Sequence, residues 1–89
     1  MSNTHIKNTI VSLFRQNAII KDITEDQDFY DLGVSSLTIV ELQIAVEKEL
    51  KLEVETSVLM AAPILAEWIQ IYTNAAQAKG ESQADVADS

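Results

Sequence analysis

Two adjacent hydroxyls, Ser35 and Ser36, stand between Gly33 and the run LTIVEL in the stretch DLGVSSLTIVEL, Asp31 to Leu42. A serine at such a junction can be a nucleophile, a modification site, or a cap for the free N–H groups of a helix. Nucleophilic catalysis needs an oriented base and an acid behind it. The one histidine, His5, falls at the fraying start of the first expected helix, where nothing rigid would orient it, and reads as a surface residue. Asp26, Asp28 and Asp31 are closely spaced oxygen donors. Yet an EF-hand loop needs a glycine directly after its third acidic position and a glutamate at its twelfth, which counted from Asp26 is Leu37. These carboxylates read as a solvated acidic loop, and no metal site is expected. Trp68 and Tyr72, four apart, read as core packing rather than a ligand cavity. The chain has no cysteine, so any thioester chemistry would need an imported thiol.

The elements that position the serines follow from periodicity. Ile6, Ile10, Leu13 and Phe14 recur at helical spacing between Asn3 and Gln16, with Ser2, Asn3 or Thr4 able to cap that helix. From Asn17 to Val34 no period is sustained, and the reading is a long loop pinned by Phe29 and Leu32. Gly33 permits a backbone turn, and a serine after it can cap a helix running from about Ser36 to Lys51. KLEVE then reads as a short connector, followed by a brief helical turn, SVLMA, capped by Thr56. Pro63 is expected in the first turn of a last helix whose buried face carries Ile64, Leu65, Trp68, Ile71 and Tyr72. The fold class is therefore all-α, a four-helix bundle with three longer helices and one short. The ordered domain spans 1–78, and 79–89 (KGESQADVADS) reads as a disordered acidic tail, too poor in apolar groups to offset its ordering entropy.

Composition narrows the function. A chain of 89 residues is one small domain, near the lower limit for a self-sufficient core. Six basic against fourteen acidic residues give a formal net charge of −8, which excludes phosphate-backbone binding and leaves no nucleic-acid partner. No apolar run is long enough to span a membrane, and MSNTHIKNTI lacks the features of a secretory signal, so a cytoplasmic monomer is expected. Read as it stands from Met1 with no fused module, the chain is expected to be free-standing.

The stretch DLGVSSLTIVEL resembles the phosphopantetheine attachment site of acyl and peptidyl carrier proteins: an Asp-Leu-Gly turn, two further residues of which the second is commonly Asp or His, then Ser-Leu opening a helix. Asp31, Leu32, Gly33, Ser36, Leu37, Glu41 and Leu42 match, and the likeness extends through Phe29 and the helix pattern over about residues 3–78. The residue before the modified serine, often Asp in fatty-acid carriers, is Ser35 here. Ser36 is the serine followed by leucine at the family's spacing from Gly33. The resemblance implies an acyl-carrier-protein fold and 4'-phosphopantetheine on Ser36, with Gly33, Ser35 and Leu37 shaping the attachment site. It also implies a Mg²⁺-dependent phosphopantetheinyl transferase that moves the group from coenzyme A, so the carrier needs neither base nor cysteine. A helix N-terminus suits the resulting phosphodiester.

On this reading the protein is not an enzyme. It holds an acyl or aminoacyl group as a thioester, receives it from an adenylating or acyl-transferring loading enzyme, and presents it to downstream enzymes. Glu41, Glu47 and Glu49 are interrupted by Lys48 and Lys51, which favours polyketide or nonribosomal peptide metabolism over fatty-acid synthesis. A helical adaptor without a prosthetic group is the alternative, and a hydrolase using Ser36 lacks oriented partners. With Ser36 at zero and about 100° per residue, Ile39, Leu42, Val46 and Leu50 fall between about 240° and 320°, one core stripe. Val40, Ile44 and Leu37 fall near 40°, 80° and 100°. They are expected to form a docking patch with Glu41, Glu47 and Lys48 projecting into solvent at its rim, extended by Val58 and Met60.

Overall fold

Every fourth or third residue of the first segment is apolar, and those are the side chains that the first helix buries. The computed structural model describes the backbone of residues 3–88 and the side chains of residues 3–79. Helix α1 is Asn3–Arg15, α2 is Ser36–Leu50, α3 is Thr56–Ala61 and α4 is Leu65–Asp88. There are no strands among the described residues, and the all-α class with three longer helices and one short stands. No helix among them is long and apolar enough to cross a membrane.

Ile6, Ile10 and Phe14 of α1 are fully buried, with Leu13 half-buried beside them. The α2 stripe Ile39, Leu42, Val46 and Leu50 faces them, and Leu65, Trp68 and Tyr72 close the core from α4. Phe14, Phe29 and Trp68 meet edge to face in a triangle with centroids 5.2, 5.3 and 5.5 Å apart, and Tyr72 tilts against Trp68 at 6.3 Å. Such pairs add about 0.5–1.5 kcal/mol each beyond their buried area. Both aromatics of α4 are thus core residues.

The long loop is more tightly held than its sequence suggests. Phe29 is fully buried as expected, Leu32 is half-buried, and Ile20, which the reading of the loop had not used as a pin, is also fully buried. Tyr30–Leu32 form a 3₁₀ turn. The loop backbone is stitched to the α3–α4 link: Phe29 N–H donates to Pro63 O at 2.8 Å, Asp28 and Ile64 form an antiparallel bridge, and Ala66 N–H donates to Glu25 O at 2.9 Å. The stitching also moves the start of the last helix. Pro63 lies before α4 rather than in its first turn, because its carbonyl serves Phe29 and Ile64 is drawn into the bridge. The α4 backbone runs on to Asp88, past the expected boundary at Ala78. Most of the expected tail, 80–89, has side chains outside the described residues.

Candidate functional site

The serine junction is built mainly by backbone. Gly33 closes the 3₁₀ turn with φ +89°, in the left-handed region, and its N–H donates to Tyr30 O at 3.1 Å. Phe29 O accepts from both Leu32 N–H at 3.0 Å and Val34 N–H at 3.1 Å, so the buried Phe29 ring anchors the turn to the core. Asp28 Oδ1 accepts from Tyr30 N–H at 2.7 Å, and Asp26 Oδ1 from Thr24 Oγ1 at 2.8 Å. Asp26 and Asp28, two of the three closely spaced aspartates, therefore serve turn geometry. No group of three or more His, Cys, Asp or Glu side chains that could hold a metal ion occurs among the described residues.

The two hydroxyls are not equivalent. Ser35 is the N-cap of α2, with extended backbone at φ −90° and ψ 165°, and its Oγ accepts from Thr38 N–H at 3.3 Å. It also lies 3.3 Å from Thr38 Oγ1. Ser36 is the first residue of α2, exposed, and its hydroxyl has no hydrogen-bond partner within the described residues. Ile39 N–H donates to Ser35 O at 3.1 Å, which leaves the Ser36 and Leu37 amides as the open donors of the first turn. An exposed hydroxyl beside open N–H groups at the positive end of a helix is placed to be modified with an anionic group.

Large apolar side chains are exposed along α2 and on α3. Leu37 is 68% exposed, Ile44 62% and Val58 45%. Val40 and Met60 are half-buried, while Glu41 and Lys48 are exposed at the edge. Tyr30, 43% exposed, reaches from the loop to α3, its hydroxyl 3.4 Å from Met60 O.

Residues 6–71 match the family model described as phosphopantetheine attachment site. The chain belongs to this family, that of the acyl and peptidyl carrier proteins. A comparison with curated proteins finds no match. Carriers of this family are not catalysts themselves, and they bear 4'-phosphopantetheine covalently. The junction suits that group on structural grounds: the hydroxyl is exposed, the first-turn amides are open, and a Cβ added at Gly33 would meet nothing within 4 Å.

One expected interface residue of the carrier does not behave as expected. Glu47 does not project into solvent with Glu41 and Lys48. Its Oε2 accepts from Gln43 Nε2, Val54 N–H and Tyr72 OH, each at 3.1 Å. On an ideal helix Glu47 falls near 20°, between the core stripe and the Val40 side, so the angle alone does not reveal its internal partners. The buried Tyr72 hydroxyl is pushed well above the ordinary tyrosine range, by burial first and then by the Glu47 charge and the hydrogen bond to it. It stays a donor at any ordinary pH.

Gln43 had no place in the reading of the sequence, yet it is 7% exposed and uses both ends of its amide. Nε2 donates to Glu47 and to Val54 O at 3.0 Å, and Oε1 accepts from Thr56 Oγ1 at 2.7 Å. The sequence signal for this cluster is a Gln/Glu pair at i, i+4 flanking the core stripe. Lys51 ends α2 in the left-handed conformation at φ 56°, and its backbone carbonyl accepts from Lys79 Nζ at 2.8 Å.

Proposed function

We propose that Ser36 is the residue to which the phosphopantetheine arm is attached, and that the carrier passes acyl or aminoacyl units between enzymes of specialised metabolism. The observation that carries the assignment is the division of labour between the serines: Ser35 is occupied as the cap of α2, while the Ser36 hydroxyl is exposed and unengaged. In this reading a phosphopantetheinyl transferase uses the Ser36 oxygen as acceptor, and the bound arm supplies the thiol that the cysteine-free chain lacks. Gly33 sets the turn, and the open first-turn amides and α2 dipole stabilise the phosphodiester. Leu37, Val40 and Ile44, with Glu41 and Lys48 at the edge and Val58 and Met60 beyond, offer the enzymes an apolar docking patch.

The polyketide or nonribosomal peptide context rests on charge. With Glu47 engaged inside the fold, Glu41 and Glu49 remain as the exposed acids of α2, alongside Lys48. An enzyme that docks on this helix meets a mostly apolar surface of mixed charge. A loading enzyme that adenylates an amino acid and one that transfers an acyl group are both consistent with it. The autonomous unit ends near Lys79, whose contact with Lys51 moves the proposed boundary by one residue.

Incubation with coenzyme A and a broad-specificity transferase, read by intact mass, tests the assignment. The wild type and Ser35→Ala gain the mass of the arm, and Ser36→Ala gains none; modification of Ser36→Ala would overturn it. Copurification with the pathway enzymes then identifies the cargo class from the mass beyond the arm.

A further inference from the structure

Helix α3 is short, and most of what holds it is not core. Leu59 is its one fully buried side chain, and at its far end the contacts from Trp68 Nε1 to Leu59 O and from Tyr30 OH to Met60 O are both long, at 3.4 Å. Its N-cap, Glu55, makes no side-chain capping bond. The near end is held differently. Five hydrogen bonds of 2.7–3.1 Å join α2, the connector, Thr56 and α4 through Gln43 and Glu47. All five are shorter than the far-end contacts, and the three that end on the Glu47 carboxylate are charge-assisted as well.

The three donors to Glu47 are neutral and come from three different segments. Among the described residues the only ion pair is Lys7 with Glu25, on another face. A carboxylate held this way converges the connector amide of Val54, the Gln43 side chain and the Tyr72 hydroxyl on one oxygen. We propose that the Gln43–Glu47–Tyr72 network is a positioning device that sets residues 51–55 and the start of α3 against α2, and so fixes where Val58 and Met60 stand for incoming enzymes. The last clause rests on the docking patch proposed above; the first does not.

Tyr72→Phe tests this in the full chain, because it removes the hydroxyl and leaves the ring in the aromatic cluster. Amide hydrogen exchange over residues 52–59 is expected to rise about tenfold, the equivalent of one charge-assisted hydrogen bond, while α1 amides change only with global stability. The transferase KM for the carrier is expected to rise severalfold with kcat within about twofold. Ile10→Val serves as the control, a core change that should raise neither local exchange over 52–59 nor KM. Should Tyr72→Phe fold poorly, Thr56→Val removes the bond to Gln43 at the edge of the network and is expected to give the same local pattern. Exchange over 52–59 that is unchanged, or that rises only in step with α1, would overturn the proposal. A local rise with KM unaltered would overturn its link to the partners. Failure of the wild type to be modified on Ser36 would instead sink the functional reading and leave the exchange result to decide the network.

Discussion

The two ends of α2 spend their polar groups in opposite ways. At the N-terminal end the backbone does most of the holding: Gly33 and Phe29 O shape the turn, one side chain, Ser35, caps the helix, and the Ser36 side chain is left unengaged. At the C-terminal end side chains do the holding, and Gln43, Glu47 and Tyr72 are consumed in one internal network. A side-chain hydroxyl stays available where main-chain groups satisfy each other. A carboxylate that looks available in the sequence is lost to function where main-chain groups of a connector need a partner.

That contrast is broken most strongly from the C-terminal end. Glu47→Ala removes the acceptor for three donors and leaves Tyr72 OH buried without one, so unfolding free energy should fall by about 2–3 kcal/mol in denaturant titration. A loss below about 0.5 kcal/mol, the usual size for an exposed site, would return Glu47 to the surface.

Alkaline titration sharpens the same end. The Tyr72 pKa is raised above its unfolded value of 10.0, so the folded state holds the proton more tightly than the unfolded chain. The stabilisation is fully present below pH 10 and is lost as pH rises beyond it, by up to about 1.4 kcal/mol per unit. The wild type should therefore lose stability above that pH faster than Tyr72→Phe; parallel curves would show that Tyr72 is not shielded.

The N-terminal end should respond least in stability and most in function. Ser35→Ala removes the α2 cap and should cost about 1 kcal/mol, while Ser36→Ala should change thermal stability within about 0.5 kcal/mol. Equal costs for the two would mean that both hydroxyls cap the helix.

The same contrast explains what could be read from the sequence. Apolar spacing located α1, α2 and the buried face of α4, since Ile6, Ile10, Phe14, Ile39, Leu42, Val46, Leu50, Leu65, Trp68 and Tyr72 all enter the core. Gly33 and the serine cap were legible because turn chemistry is local. Pro63 was misplaced by a bond to Phe29, far away in sequence, which no local rule contains. The engagement of Glu47 and the part played by Gln43 are hidden from the sequence for a related reason. Hydropathy assigns polar residues to solvent, and only the three-dimensional position of Val54 and Tyr72 reveals the donors waiting for them.

The two residues that bracket α2, Gly33 and Lys51, are the only described ones with positive φ. At Lys51 an ordinary side chain tolerates the left-handed backbone. At Gly33 the φ of +89° lies further out, yet the space where a Cβ would stand is open. For an L residue the demand at the serine junction is thus one of handedness and not of room. A D-alanine, introduced by chemical synthesis, would find its preferred backbone there. It would also have less conformational freedom to surrender than glycine, which makes chirality a lever for stiffening the junction without touching the serine beside it.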